Sequence, residues 1–252
     1  MMEEKGLKLM RETKFATGHF YHVYNRGVDR RKLFATDADY YRFIHDLYEF
    51  NDTKPASALS SYHARKEIER LKKEKDKNFG SPTSKIKEER VRLVDIVAFA
   101  LMPNHFHLLL AQKKRSGITM FLRKLGTGYT NYFNKKHRRT GHLFEGKFKS
   151  IEVDKETYLL HLVSYIHLNP VKIIFPKWQS APLGRRDRKK IISFLEGYRW
   201  SSLMDFLKKK NFPSLLNNEI ILEILGKKRY RNVLLEALET DVTSYKEFTL
   251  ED

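Results

Sequence analysis

His105 and His107 are separated by one residue, within a run that reads as a β-strand. Successive side chains of a strand alternate between faces, so the two imidazoles share one face while Phe106 takes the other. Two imidazoles at adjacent same-face positions form a natural pair of ligands for one divalent cation, and one or two further groups complete the shell. The same spacing also arises in half-buried histidines whose ring nitrogens bond backbone carbonyls. A second pair, Tyr165 and Asn169, is spaced i, i+4 on a short helical segment. That spacing leaves them about 40° apart around the axis and on one face. The Asn169 carboxamide oxygen can complete a shell begun by the histidines, and the Tyr165 phenol would then lie one turn away, near the metal. An interfacial tyrosine and an asparagine at a helix end before Pro170 account for the same residues without chemistry.

The elements that must position these groups follow from periodicity. Residues 19–25, HFYHVYN, predict a strand that turns at Gly27, and Asp37 offers an N-cap for a helix reaching about Phe50. Residues 51–90 differ in character, since HARKEIERLKKEKDK is nearly all charged and Gly80-Ser81-Pro82 breaks what precedes it. They predict an inserted, solvated helix and loop. Residues 94–101 and 105–111 predict two strands joined by a tight turn at Met102-Pro103-Asn104. A helix is expected over 117–136 despite Gly126 and Gly128, a strand over 147–153, and a helix from about Lys155 to Leu168, capped by Asp154 and ended by Pro170.

The order β, α, β, β, α, β, α predicts an α+β fold with a ferredoxin-like split βαβ core and an antiparallel sheet. The helix bearing Tyr165 would pack on that sheet. Beyond it, the sequence predicts a loop with the basic run Arg185, Arg186, Arg188, Lys189 and Lys190 and a turn at Tyr198 to Ser202. Helical patterns follow at about 217–225 and 228–240. The division is a core over 15–175, carrying the insertion, and a basic, helical C-terminal extension over 176–252.

With 49 Lys and Arg against 31 Asp and Glu, the 252-residue chain carries a net charge of +18. Such an excess attracts polyanions, because neutralising phosphates releases their condensed counterions. Aromatics interleaved with basic residues (Tyr129, Tyr132 and Phe133 near Arg123, Lys124, Lys135 and Lys136) suit base stacking beside phosphate contacts, and equally an ordinary amphipathic helix. No apolar run is long enough to span a membrane, and the start lacks a signal peptide's apolar stretch. Absence of cysteine excludes thiolate metal sites and fits a reducing compartment, so a cytoplasmic location is expected.

Taken together, MPNHFHLLL at 102–110, YTNYFNKKHRRTGHLFEGKFKS at 129–150 and YIHLNPVK at 165–172 resemble the single-tyrosine HUH transposases. The likeness is to the insertion-sequence type and its REP-associated relatives in bacteria, and covers roughly residues 19–175 outside the insertion. Tyr198 to Ser202 resembles the tryptophan-serine-serine element that many relatives carry after the core. The resemblance implies an enzyme that cleaves and rejoins single-stranded DNA, with Tyr165 as nucleophile and His105, His107 and Asn169 as metal ligands. Some relatives have glutamine at the position of Asn169. Mg²⁺ or Mn²⁺ is the expected cofactor, and single-stranded or hairpin DNA the expected partner, with no membrane. His161, four residues before Tyr165, is a rival ligand or proton acceptor, whereas His167 is turned away from the Tyr165–Asn169 face. Arg26, Lys147, Lys149, Arg185 and Arg186 are candidate DNA contacts or simply a solvated basic surface. The protein would act as a monomer or a homodimer, since relatives place the tyrosine helix in their own active site or a partner's. Two other readings stay open: a domesticated hairpin-binding protein that does not cut, and a metal-dependent nuclease that uses activated water.

Overall fold

The β-branched and aromatic runs form one antiparallel sheet in the computed structural model, which describes residues 15–54, 90–153, 156–176, 178, 183–226 and 228–239. Strands β1 (Phe20–Arg26), β2 (Val94–Met102), β3 (His105–Gln112) and β4 (Lys149–Val153) lie in the order β2-β3-β1-β4. Helices α1 (Asp37–Glu49) and α2 (Gly117–Lys136) cover one face, and α3 (Glu156–Leu168) covers the other. This is the expected split βαβ arrangement with a further helix on the sheet. Most of the expected insertion, residues 55–89, and the expected cap Asp154 lie outside the described residues.

Parity along β3 decides what faces α3. Phe106, Leu108 and Leu110 enter the cluster beneath α1 and α2, and Leu109 enters the cluster beneath α3. His105 and His107 therefore lie on the α3 side. In β2 the register shifts between Ile96 and Ala98, so Val97 is an extra residue and the parity changes there. Val94 and Ile96 before the bulge, and Phe99 and Leu101 after it, all reach the α1/α2 cluster. Strand β4 begins at Lys149 rather than Lys147, because beyond the Tyr24–Lys149 pair the Asn25 side chain bonds the Gly146 carbonyl instead. Gly128 in α2 has a packing reason: a Cβ there would collide with the ring of Phe50.

The cap of α1 is Thr36, not Asp37. Asp39, at the third helical position, reaches back to the amide and hydroxyl of Thr36 at 2.9 and 3.0 Å and to the amide of Ala35 at 3.0 Å. Its other oxygen accepts from the Tyr132 hydroxyl at 2.9 Å and from the Lys136 ammonium at 2.6 Å, tying α1 to α2. Burial alone would raise this carboxyl, but hydrogen bonds from Lys136, Thr36 and Tyr132 outweigh it, and its pKa lies below the ordinary value. A depressed carboxylate contributes stability that is present above its unfolded pKa of about 3.9 and is lost as pH falls through the lower folded value. Asp39→Asn should therefore cost on the order of 3 kcal/mol at neutral pH. In thermal unfolding the gap from wild type should narrow steadily below about pH 4. A gap independent of pH would contradict this.

The C-terminal residues are more integrated than a tail. Helices α4 (Val171–Ile174), α5 (Arg185–Gly197), α6 (Leu203–Phe206), α7 (Glu219–Leu225) and α8 (Tyr230–Glu239) follow α3. The basic run expected as a loop is the first half of α5, since Ile191, Ile192 and Leu195 give the segment a buried helical stripe. The order of the sheet leaves one side of β2 unpaired with any described strand, and residues that follow α5 cover it. Asn217 donates to Ile96 at 2.9 Å, Ser202 to Phe99 at 3.0 Å, and Leu101 to Trp200 at 2.9 Å. No helix among the described residues is long and apolar enough to cross a membrane.

Candidate active site

Register between β1 and β3 assembles the site. Tyr24 is paired with His107 and Arg26 with His105. Tyr21 and Val23 fill the α1/α2 cluster, so His22 and Tyr24 share the opposite face with the two histidines. The Nε2 atom of His22 lies 3.0 Å from Nδ1 of His107, with the rings stacked at 5.2 Å between centroids. His105 stands nearly perpendicular to His107 at 5.0 Å, and the Tyr24 ring lies 28° from parallel to His107 at 6.0 Å.

Helix α3 brings Tyr165 down onto this group. Its ring is edge-on to His107 at 6.0 Å and to His22 at 6.2 Å. Tyr165 is 2% exposed, and His22 and His107 are 1% exposed. A phosphate can reach the phenol only if the surrounding side chains part.

The hydrogen-bond partners of the rings bear on which nitrogen carries the lone pair. A neutral imidazole carries one N–H and one lone pair. Asn104 Oδ1, 2.7 Å from His105 Nδ1, can only accept, so in the neutral ring it places the proton on Nδ1 and the lone pair on Nε2. If Nδ1 of His107 donates to His22, the lone pair of His107 is likewise on Nε2. Asn169 donates through Nδ2 to the Tyr165 carbonyl at 3.1 Å, while its buried Oδ1 accepts no hydrogen bond from the described residues. A buried carboxamide oxygen of this kind suits a hard divalent cation. Among the described residues no group of three or more His, Cys, Asp or Glu is arranged to hold a metal. A shell started by His105 and His107 would therefore need an amide oxygen and water or phosphate oxygens to complete it.

The other expected contacts divide. Lys149 stands beside Tyr24: it is paired with Tyr24 in β4, and its ammonium lies 5.8 Å from the Tyr24 ring centre. Arg26 is engaged by Glu145 at 3.0 Å through both Nε and Nη2. Lys147 is exposed, as are Arg185 and Arg186 in the first turn of α5. His161 is exposed, one turn before Tyr165, whereas Tyr165 and Asn169 are buried. His167 is turned elsewhere, and burial holds its pKa down at about 3. Beyond Arg26, an open hollow of ≈ 750 Å³ is lined by Val28, Asp29, Arg30, His142, Phe144, Glu145 and Gly146, at the end of the sheet that carries His105. Sequence reasoning missed His22 and Tyr24. Their i, i+2 spacing on β1 was a signal, but only strand register joins them to His107.

Residues 59–169 match the family described as transposase IS200 like. The match spans less than half of the chain and includes His105, His107, Tyr165 and Asn169 but not β1. Among solved structures the chain is similar to a REP-associated tyrosine transposase bound to a REP hairpin, at 12% identity and a TM-score of 0.47, over 84% of this chain and 92% of that one. No curated protein matches the chain.

Proposed function

We propose that this chain, whose residues 59–169 match the family described as transposase IS200 like, cuts and rejoins single-stranded or hairpin DNA through Tyr165, with Mg²⁺ or Mn²⁺ as cofactor. The observation that carries this reading is the placement of Tyr165 edge-on against His107, on the face shared with His105. The ligands would be His105, His107 and Asn169. A divalent cation there supplies Lewis acidity at the scissile phosphate and favours ionisation of a phenol, which in water ionises near pH 10.

In the proposed cleavage the Tyr165 oxygen attacks phosphorus and loses its proton. The bond from phosphorus to the 3′ oxygen breaks, and that oxygen leaves as a 3′-hydroxyl after taking up a proton. The products are a 5′-phosphotyrosine and a free 3′ end. Attack by another 3′-hydroxyl reverses the step, restores the phenol and rejoins strands. Because the covalent link conserves the phosphodiester, no nucleotide cofactor is needed, and the sequence contains no P-loop motif. Lys149 beside Tyr24 supplies a cation at the rim of the site for the approaching backbone.

The test uses labelled hairpin oligonucleotides from the flanks of the native gene, with and without Mn²⁺, separated under denaturing conditions. A metal-dependent protein–DNA adduct is expected. Cleavage without an adduct would favour activated water as the nucleophile, and tight binding with neither product would favour a domesticated binder. His22 offers a separate check, since a partner that fixes a ligand's tautomer tunes its affinity. His22→Ala should weaken Mn²⁺ binding in calorimetry by about 10–100-fold. An unchanged affinity would remove His22 from the metal's surroundings.

A further inference from the structure

Helix α3 is gripped from behind by a buried polar chain. His167 lies two residues after Tyr165, about 200° around the axis, and so on the opposite side of the same turn. Its Nδ1 is 2.8 Å from the Tyr230 hydroxyl on α8, and its Nε2 is 2.7 Å from Ser202 Oγ. The Ser202 hydroxyl accepts from the Phe99 amide at 2.9 Å and faces the Phe99 carbonyl at 3.3 Å, and the Ser202 amide donates to that carbonyl at 3.0 Å. His167 and Ser202 are fully buried, and Tyr230 is 3% exposed.

One arrangement of hydrogens satisfies the whole chain. Tyr230 O–H donates to Nδ1, Nε2–H donates to Ser202, and Ser202 O–H donates to the Phe99 carbonyl. Phe99 is next to Ala100, the residue of β2 paired with His107. The chain therefore links the back of the tyrosine helix to the strand beside the histidines.

Much of the rest of α3 packs through apolar side chains. Leu159, Leu162, Val163, Ile166 and Leu168 lie in the apolar cluster opposite the small residues Ala98 and Ala100 of β2. Apolar packing of that kind is non-directional, whereas hydrogen bonds weaken steeply with misalignment. A buried polar network adds little net stability over apolar groups of the same shape, but fully satisfied it specifies one geometry.

We propose that His167, Ser202 and Tyr230 are positioning residues that set the rotation of α3, and with it the placement of the Tyr165 phenol against His105 and His107. The C-terminal extension is then part of the cleaving apparatus. This inference rests on Tyr165 as nucleophile, and its test separates the two.

The variants are Tyr230→Phe and Ser202→Ala in the full chain, each deleting one hydroxyl. Hydrogen exchange is read at the α3 amides around 162–169 and at those of α1. Single-turnover adduct formation is read at saturating hairpin DNA, alongside DNA affinity and melting temperature. Exchange in α3 should quicken at least about tenfold with α1 unchanged. The adduct rate should fall by about 10–100-fold, the cost of a small misplacement, with DNA affinity within about twofold. The double variant should be no slower than the slower single one, because the groups act as a unit. A lower melting temperature with an unchanged adduct rate would make the network merely structural and overturn the proposal, as would unaltered exchange in α3. Failure of the wild-type protein to form any adduct would instead sink the nucleophile reading, while exchange would still report whether the network holds the helix.

Discussion

Replacing Tyr165 with phenylalanine is expected to abolish covalent capture of DNA, by at least about a thousandfold in adduct yield, while leaving hairpin affinity within about twofold. The change removes one oxygen from a ring that is otherwise packed edge-on against His22 and His107. Phenylalanine fills the same volume, so the fold should persist and the loss should be chemical. Denaturing electrophoresis after incubation with Mn²⁺ reads the adduct, and a binding isotherm reads the affinity. Full cleavage without an adduct in the variant would transfer the role of nucleophile to water. An undiminished adduct would place it on another tyrosine.

The second large effect is expected at the histidines. His105→Ala should lower metal-dependent cleavage by at least about 100-fold at limiting Mn²⁺, with partial recovery at high Mn²⁺. His105 is the cleaner probe because it is half-buried at the edge of the group, and its Nδ1 is held by Asn104. His107→Ala should be at least as damaging to cleavage and should also lower the melting temperature. That ring is buried among His22, Tyr24, His105 and Tyr165, and its loss leaves a cavity and removes a hydrogen-bond partner of His22. A Mn²⁺ titration of cleavage rate for both variants checks the prediction. Equal cleavage by His105→Ala and wild type at limiting metal would exclude His105 from the shell.

Local physics made much of this site legible in the sequence. Alternation alone put His105 and His107 on one face, and the helix over 117–136 was bounded by its apolar period. Tyr165, on α3, and Asn169, just beyond it, share a face as their i, i+4 spacing dictates, and both are buried. What was not legible depends on partners distant in the chain. Tyr24 meets His107 through strand register, and Arg26 is taken up by Glu145, 119 residues away. Neither pairing has a local signal. The first half of α5 was masked by its own charge, since Arg185 to Lys190 read as a loop until the buried Ile191, Ile192 and Leu195 are counted. Thr36 and Asp37 are both good caps, and only the reach of Asp39 back to Thr36 separates them. The tryptophan-serine-serine element gave no hint that Ser202 would bond both Phe99 and His167.

The central claim concerns which oxygen takes the phosphate, and two tyrosines compete for that role. Tyr24 and Tyr165 each have a ring centre 6.0 Å from that of His107. Peptide mapping by mass spectrometry of the purified protein–DNA adduct, after nuclease trimming, identifies the modified side chain directly. A nucleotide 5′-phosphate on the peptide containing Tyr165, and none on the peptide containing Tyr24, is the predicted result. A phosphate on Tyr24 would put the nucleophile on β1 rather than on α3 and contradict the assignment.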